Sequence, residues 1–143
     1  MNGALFKPHG DFAFAWHGDV LYSRLVGTFN REAIANYLRE MRETVATRPG
    51  ITWGRIADMR AWDGATPDAT DMAEELATWI KQSQCIVSVQ VFSERFFQAV
   101  AAQAAKRVSP RNLKQVFTMA AAVEIMREYE LSLGDDPEAL LKL

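Results

Sequence analysis

Residues 56–76 read IADMRAWDGATPDATDMAEEL. An apolar run closes on Asp58, a polar stretch carries Trp62, and Thr66-Pro67-Asp68 has the form of a helix start. Threonine suits the cap, proline suits the first helical position because its missing N–H costs nothing there, and the aspartate faces the positive end of the helix dipole. Beyond it Met72, Leu76, Trp79 and Ile80 fall on one apolar helical stripe. A strand that runs through a short turn into an amphipathic helix is half of a crossover unit, and this one sits mid-chain.

Upstream, Asp11–Trp16 alternates Phe12, Phe14 and Trp16 with small residues, and Val20–Val26 alternates again after His17-Gly18-Asp19. That pattern predicts a hairpin. Asn30 then stands as an N-cap before Ile34, Tyr37, Leu38, Met41 and Val45 at helical spacing, and Arg48-Pro49-Gly50 stops that helix. Ile51–Met59 is a third strand. Downstream, Cys85–Phe92 is a fourth strand, Ser93 caps an alanine-rich helix reaching Val108, Leu113–Phe117 is a short fifth strand, and Thr118 caps a last helix with Val123, Met126 and Leu131 in its stripe. Strands alternating with helices require crossovers, so the expected fold class is α/β: a single-domain, mostly parallel β-sheet with crossover helices and an antiparallel N-terminal hairpin strand. The expected organisation is an N-terminal arm at 1–10, one domain at 11–133 and a loose C-terminal tail at 134–143.

The 143 residues match one domain, and 49% hydrophobic with 24% charged residues is a globular balance that excludes disorder and fibrous classes. No apolar run is long enough for a membrane span and the start lacks a secretory pattern, so the chain is expected to be cytoplasmic, without integral membrane association. Cys85 is the single cysteine, which excludes an internal disulfide and a cysteine zinc cage; it reads as a buried, inert thiol. The net charge of −2 conceals a polarity: Asp58–Glu75 holds six acids and one arginine, Arg95–Val123 five bases and no acid.

The strands alternate where a sheet covered on both faces would show continuous apolar runs. Tyr22 and Arg24 oppose Leu21 and Leu25, and Trp53 and Phe92 accompany polar neighbours. Two readings follow: solvent wets one face, or Tyr22, Arg24, Trp53 and Phe92 form a face for a ligand or a second subunit.

The order of elements, with IADMR closing the third strand and VFTMAAAVEIMREYEL near the end, resembles the STAS superfamily over 11–131, and more narrowly the stand-alone SpoIIAA-like (STAS/SEC14-like) bacterial domains. The resemblance implies a non-catalytic domain that binds a protein partner or an apolar or lipid ligand, and the mixed sheet face adds the expectation of a homo-oligomer. In antagonists of that superfamily the corresponding loop carries a serine phosphorylated by a partner kinase. Here Asp63-Gly64-Ala65-Thr66 has glycine in its place, and Thr66 is the nearby hydroxyl. The candidate switch or anion-binding residues are therefore Asp58, Trp62, Asp63 and Thr66, with ordinary helix punctuation as the alternative for the last.

Other chemistry is sparse. His9 and His17 have no metal spacing, and no phosphate loop, nucleophile elbow or HExxH motif occurs. No catalytic residue, metal or cofactor is expected; Asp58 and Asp63 as a carboxylate pair are the enzymatic alternative. Lys106, Arg107, Arg111 and Lys114 form a basic cluster read either as an anionic-lipid patch or as helix-end electrostatics, with no nucleic-acid partner expected.

Overall fold

A computed structural model describes residues 10–96 and 113–143. Five strands form one sheet in the order β1-β2-β3-β4-β5: Asp11–His17, Val20–Phe29, Trp53–Ala65, Cys85–Phe92 and Leu113–Val116. β1 pairs antiparallel with β2, and every other pairing is parallel. The expected α/β architecture is thus present. Helix α1 spans Arg31–Ala46, α2 Thr70–Gln82 and α3 Met119–Glu128. The helix expected from Ser93 to Val108 begins as read, with the Ser93 hydroxyl accepting from the Phe96 N–H at 3.3 Å; the rest lies outside the described residues.

Both faces of the sheet are covered. On one, α1 lays Ile34, Tyr37, Leu38 and Met41 over Leu21, Leu25, Phe29, Trp53 and Met59, and the α2 stripe adds Met72, Leu76 and Trp79. Asn30 starts α1 as its spacing predicts, its side chain accepting from the Ala33 N–H at 3.0 Å. On the other face α3 lays Met119, Ala122, Val123 and Met126 over Val20, Ile56, Val87, Val89 and Val91. Gly54 makes the second packing possible, since a Cβ there would lie 2.5 Å from Leu131 Cδ1 and 2.7 Å from Met126 Sδ.

Three expectations are overturned here. Tyr22, Trp53 and Phe92 are 6%, 0% and 3% exposed and divide between the two cores, so they form no shared open face. Only Arg24 of that set reaches solvent, on the strip of the α3 face that α3 leaves bare, beside Ala13, Ala15 and Val26. The last helix ends at Glu128, where Glu130 turns left-handed at φ 58°, and Leu131 joins the α3 core after the helix rather than within its stripe. The tail, finally, is not loose. Ser132 C=O accepts from Asp19 N–H at 2.8 Å, Leu133 is buried, and the chain returns to bury Leu140 completely.

The α1 face also buries a cation. Arg55 lies in β3 at 5% exposure, donating to Tyr37 Oη and Ser88 Oγ at 3.0 Å each, while Tyr37 Oη bonds Ser23 Oγ at 2.6 Å. Every acidic residue of the chain lies within the described residues, and none of them pairs with this guanidinium. Neutral oxygens therefore carry the charge. Tyr37→Phe strands a buried cation and should destabilise the fold by about 1–3 kcal/mol. Arg55→Met removes the charge with its demand for partners, so its loss should be smaller or nil. Urea unfolding of both variants checks this order, and the reverse order would refute it.

Candidate functional site

The parallel strands end at a rim formed by the C-terminal ends of β2, β3 and β4 and by the entry to α2. β3 builds most of it, because it continues past Met59 to Ala65 where the sequence suggested a turn. Two irregularities permit this. Arg24 pairs with Asp58 but Val26 with Ala61, so β3 carries one extra residue there, and another lies between Trp62 and Gly64. A bulge shifts the side-chain alternation by one. Trp53, Arg55 and Met59 point to the α1 face, and after the first bulge Trp62 does so as well, meeting Phe92 at 6.2 Å and Phe96 at 5.4 Å between ring centroids. Phe92 and Phe96 stack at 5.4 Å and 13°, so three aromatic rings gather on this side of the rim.

On the other side lies Asp58, 3% exposed. Its Oδ1 accepts from Arg60 Nε at 2.9 Å and its Oδ2 from Arg60 Nη2 at 2.8 Å and from Tyr22 Oη at 2.6 Å. Burial alone would raise the carboxyl, but the hydrogen bonds from Arg60 and Tyr22 outweigh it and hold Asp58 below its ordinary value. Burial and then the bond to Asp58 push the Tyr22 phenol well above its usual range. The trio thus rests as carboxylate, guanidinium and neutral phenol, with Arg60 half out in solvent. This is a satisfied charge cluster, and no signal beyond the alternation of Tyr22 and Asp58 announced it.

The remaining candidates separate. Asp63 is exposed and stands well along the extended β3 from Asp58, so the two carboxylates do not form a pair. Thr66 stands at the N-cap of a single 3-10 turn, Pro67–Ala69, that precedes α2; its hydroxyl bonds Asp68 rather than capping the turn, and its N–H donates to Phe29 C=O at 2.9 Å. Asp63, Asp68 and Asp71 are exposed along the passage from β3 into α2, Asp68 bonded to the Thr66 hydroxyl and Asp71 paired with Arg31 at 3.1 Å. Lys114 is exposed at the start of β5, away from the rim, and Lys106, Arg107 and Arg111 lie outside the described residues.

His17 and Cys85 sit at the far end of the sheet, and burial pushes the Cys85 thiol up to about 11 against the opposing influence of Arg55. The described residues place neither histidine nor cysteine on the rim and hold no metal-binding group of three. Two shallow hollows open at that far end as well. One of about 300 Å³ is walled by Trp53, Trp79 and Arg48, the other of about 440 Å³ by Trp16, Gly134 and Asp136.

No protein-family model matches the chain, nor does any curated protein sequence. Among solved structures it is similar to an uncharacterized protein of the DUF3478 family with a SpoIIAA-like fold from Shewanella loihica PV-4, at 14% identity and a TM-score of 0.62, covering 83% of this chain and 94% of that one. It is also similar to the anti-sigma factor antagonist SpoIIAA in its unphosphorylated form, at 12% identity and a TM-score of 0.55, covering 82% of this chain and 98% of that one. The chain has the SpoIIAA-like fold.

A lowered folded-state carboxyl ties Asp58 to acid stability. The unfolded chain binds the proton more readily, so this contribution is full above about pH 4 and is lost as pH falls through the folded value. Asp58→Asn should therefore destabilise the protein at pH 7 by about 1–3 kcal/mol, less than for a fully buried pair because Arg60 keeps contact with water. The gap to wild type should narrow below pH 4. Thermal melts of both proteins from pH 7 to pH 2.5 test this, and a gap independent of pH would contradict it.

Proposed function

We propose that this chain is a STAS-like binding domain without catalytic activity, and that it engages a protein partner or an apolar ligand through the aromatic side of the rim. The observation carrying this reading is the cluster of Trp62, Phe92 and Phe96 at the C-terminal edge of the sheet, the edge at which open α/β folds receive ligands. Trp62 and Phe96 are only partly buried, and aromatic rings are the side chains that recognition surfaces favour. Charge supports the same reading. Asp58 is held ionised by Arg60 and bonded by a phenol that gives up its proton reluctantly, which makes it a poor general base. The similar antagonist is named for acting on another protein's regulator, and the fold in common makes a regulatory contact the natural role here.

A second reading, a phosphorylatable regulator, is favoured by one observation: the Thr66 hydroxyl stands at the β3-to-α2 passage on the rim. Asp68, already bonded to that hydroxyl, weighs against it, because a phosphate there would face a carboxylate at close range. A homo-oligomer through Tyr22, Trp53 and Phe92 is no part of the proposal, since those side chains are buried. A cytoplasmic location belongs to the same proposal; among the described residues no helix is long and apolar enough to cross a membrane.

Native mass spectrometry and crosslinking of the full chain from cells that make it test the proposal. A bound protein or apolar molecule is expected that Trp62→Ser releases and Thr66→Glu leaves in place. A chain that is bare in every preparation, or cargo indifferent to Trp62→Ser, overturns the aromatic rim as the contact surface. Cargo lost on Thr66→Glu would favour the phosphorylation reading instead.

A further inference from the structure

β1 is an outermost strand, paired along its length with β2 from Asp11↔Val26 to His17↔Val20. A two-residue turn closes this hairpin, with Gly18 at φ 59° in the first central position, the arrangement of a type II′ turn. His17 and Val20 are then a hydrogen-bonded closing pair. By alternation, Ala15, Ala13 and Asp11 also direct their backbone groups to β2, and Phe12, Phe14 and Trp16 direct theirs outward. The Phe12 N–H agrees, since it is bonded to the Asp11 carboxylate at 2.8 Å instead of to β2. Among the described residues β1 pairs with β2 alone. Exposed edges are usually guarded by proline, lysine, a bulge or brevity. β5, at the other edge, has four residues and a lysine, while β1 has seven and none of these guards.

The strand is also self-complementary. Asp11-Phe-Ala-Phe-Ala-Trp-His17 reads acid, aromatic, alanine, aromatic, alanine, aromatic, base, and its reverse is the same series with acid and base exchanged. We propose that β1 is a self-association edge: two copies pair antiparallel through it about a two-fold axis at Phe14, joining their sheets into one. In that register Phe12 opposes Trp16 of the second copy, Phe14 opposes its equivalent, and Ala13 opposes Ala15. Asp11 lies across from His17 at both ends. The outward groups of Phe12, Phe14 and Trp16 meet only one another, as hydrogen-bonded pairs require. Sliding the strands by two residues leaves both Asp11 and His17 without their complements. The Phe12 N–H exchanges Asp11 for the carbonyl of Trp16 in the second copy, and this releases the Asp11 carboxylate to the imidazole.

Among the described residues nothing on either face obstructs this pairing. Ala13 and Ala15 are small and exposed on one side. On the other, Phe14 stacks on Tyr37 at 5.0 Å and Trp16 meets Trp53 at 6.2 Å, so an ordered aromatic row reaches the axis. The contact is isologous, as a two-fold dimer requires. It is also small, so the dimer should dissociate on the order of micromolar concentrations rather than persist as an obligate unit. The inference stands apart from the rim and from its ligand.

Sedimentation velocity across the micromolar range, with amide exchange at the same concentrations, tests it. The mass should rise toward two chains, with the Phe14 and Trp16 amides slowing in step. Asp11→Lys, a change at an exposed position, should weaken association about tenfold by setting lysine against histidine. Adding His17→Asp should restore it. A chain that stays monomeric overturns the proposal, as does a dimer whose Phe14 and Trp16 amides exchange freely. A monomer with those amides already slow would assign the edge to another part of the same chain. An Asp11→Lys defect that the double exchange fails to repair overturns the Phe14-centred register.

Discussion

The Asp58 carboxylate, nearly out of water in the central strand, is the constraint around which the C-terminal end of the sheet is arranged. An ionised carboxylate there is tolerable only with a cation and further donors. Tyr22 supplies a donor from the neighbouring strand, and Arg60 supplies the cation from the same strand, two residues on. The extra residue that β3 carries against β2 follows directly, between the pairs Arg24↔Asp58 and Val26↔Ala61. That bulge also carries Trp62 to the opposite face. One local irregularity thus serves the charge cluster on one side and the aromatic cluster on the other.

β3 contains a second buried charge of opposite sign, and the two do not neutralise each other. Arg55 and Asp58 stand three residues apart and so project from opposite faces of the sheet. The solutions differ as the ions differ. A carboxylate holds its charge on two oxygens and takes a bidentate guanidinium, whereas a guanidinium is weakly hydrated and spreads its charge over a planar fork. Arg55 accordingly rests on two hydroxyl oxygens and lies 5.7 Å from the centre of the Tyr37 ring. Its Nε is buried with no partner among the described residues, as are the indole nitrogens of Trp16 and Trp53.

The fold was legible because its signals are local. Asn30 and Thr118 cap helices as their spacing predicted, and the strand alternation located all five strands. The site was less legible because it depends on registry. Alternation grouped Tyr22, Trp53 and Phe92 on one mixed face, but no single sequence tells which residues of different strands share a face or which helix will cover it. α3 and the returning tail cover Tyr22, α1 and α2 cover Trp53 and Phe92, and Leu140 contributes although nothing around it marks an element. The bulges were invisible for the same reason: an extra residue in β3 has meaning only against a partner strand. Periodicity stopping at Met59 therefore looked like the end of the strand.

Cover over the sheet is uneven, and this bears on where recognition can occur. α3 and the tail protect β3, β4 and the inner part of β2, while Ala13, Ala15, Arg24 and Val26 remain in water on the same face. Small side chains and one arginine present little apolar surface, so that strip carries no strong drive to be covered. The rim differs, because Trp62 and Phe96 are only partly withdrawn and charged side chains of both signs lie around them, Asp63, Asp68, Arg60 and the Arg31–Asp71 pair. Apolar rings within a charged border are the arrangement that excludes water from a contact while setting its orientation.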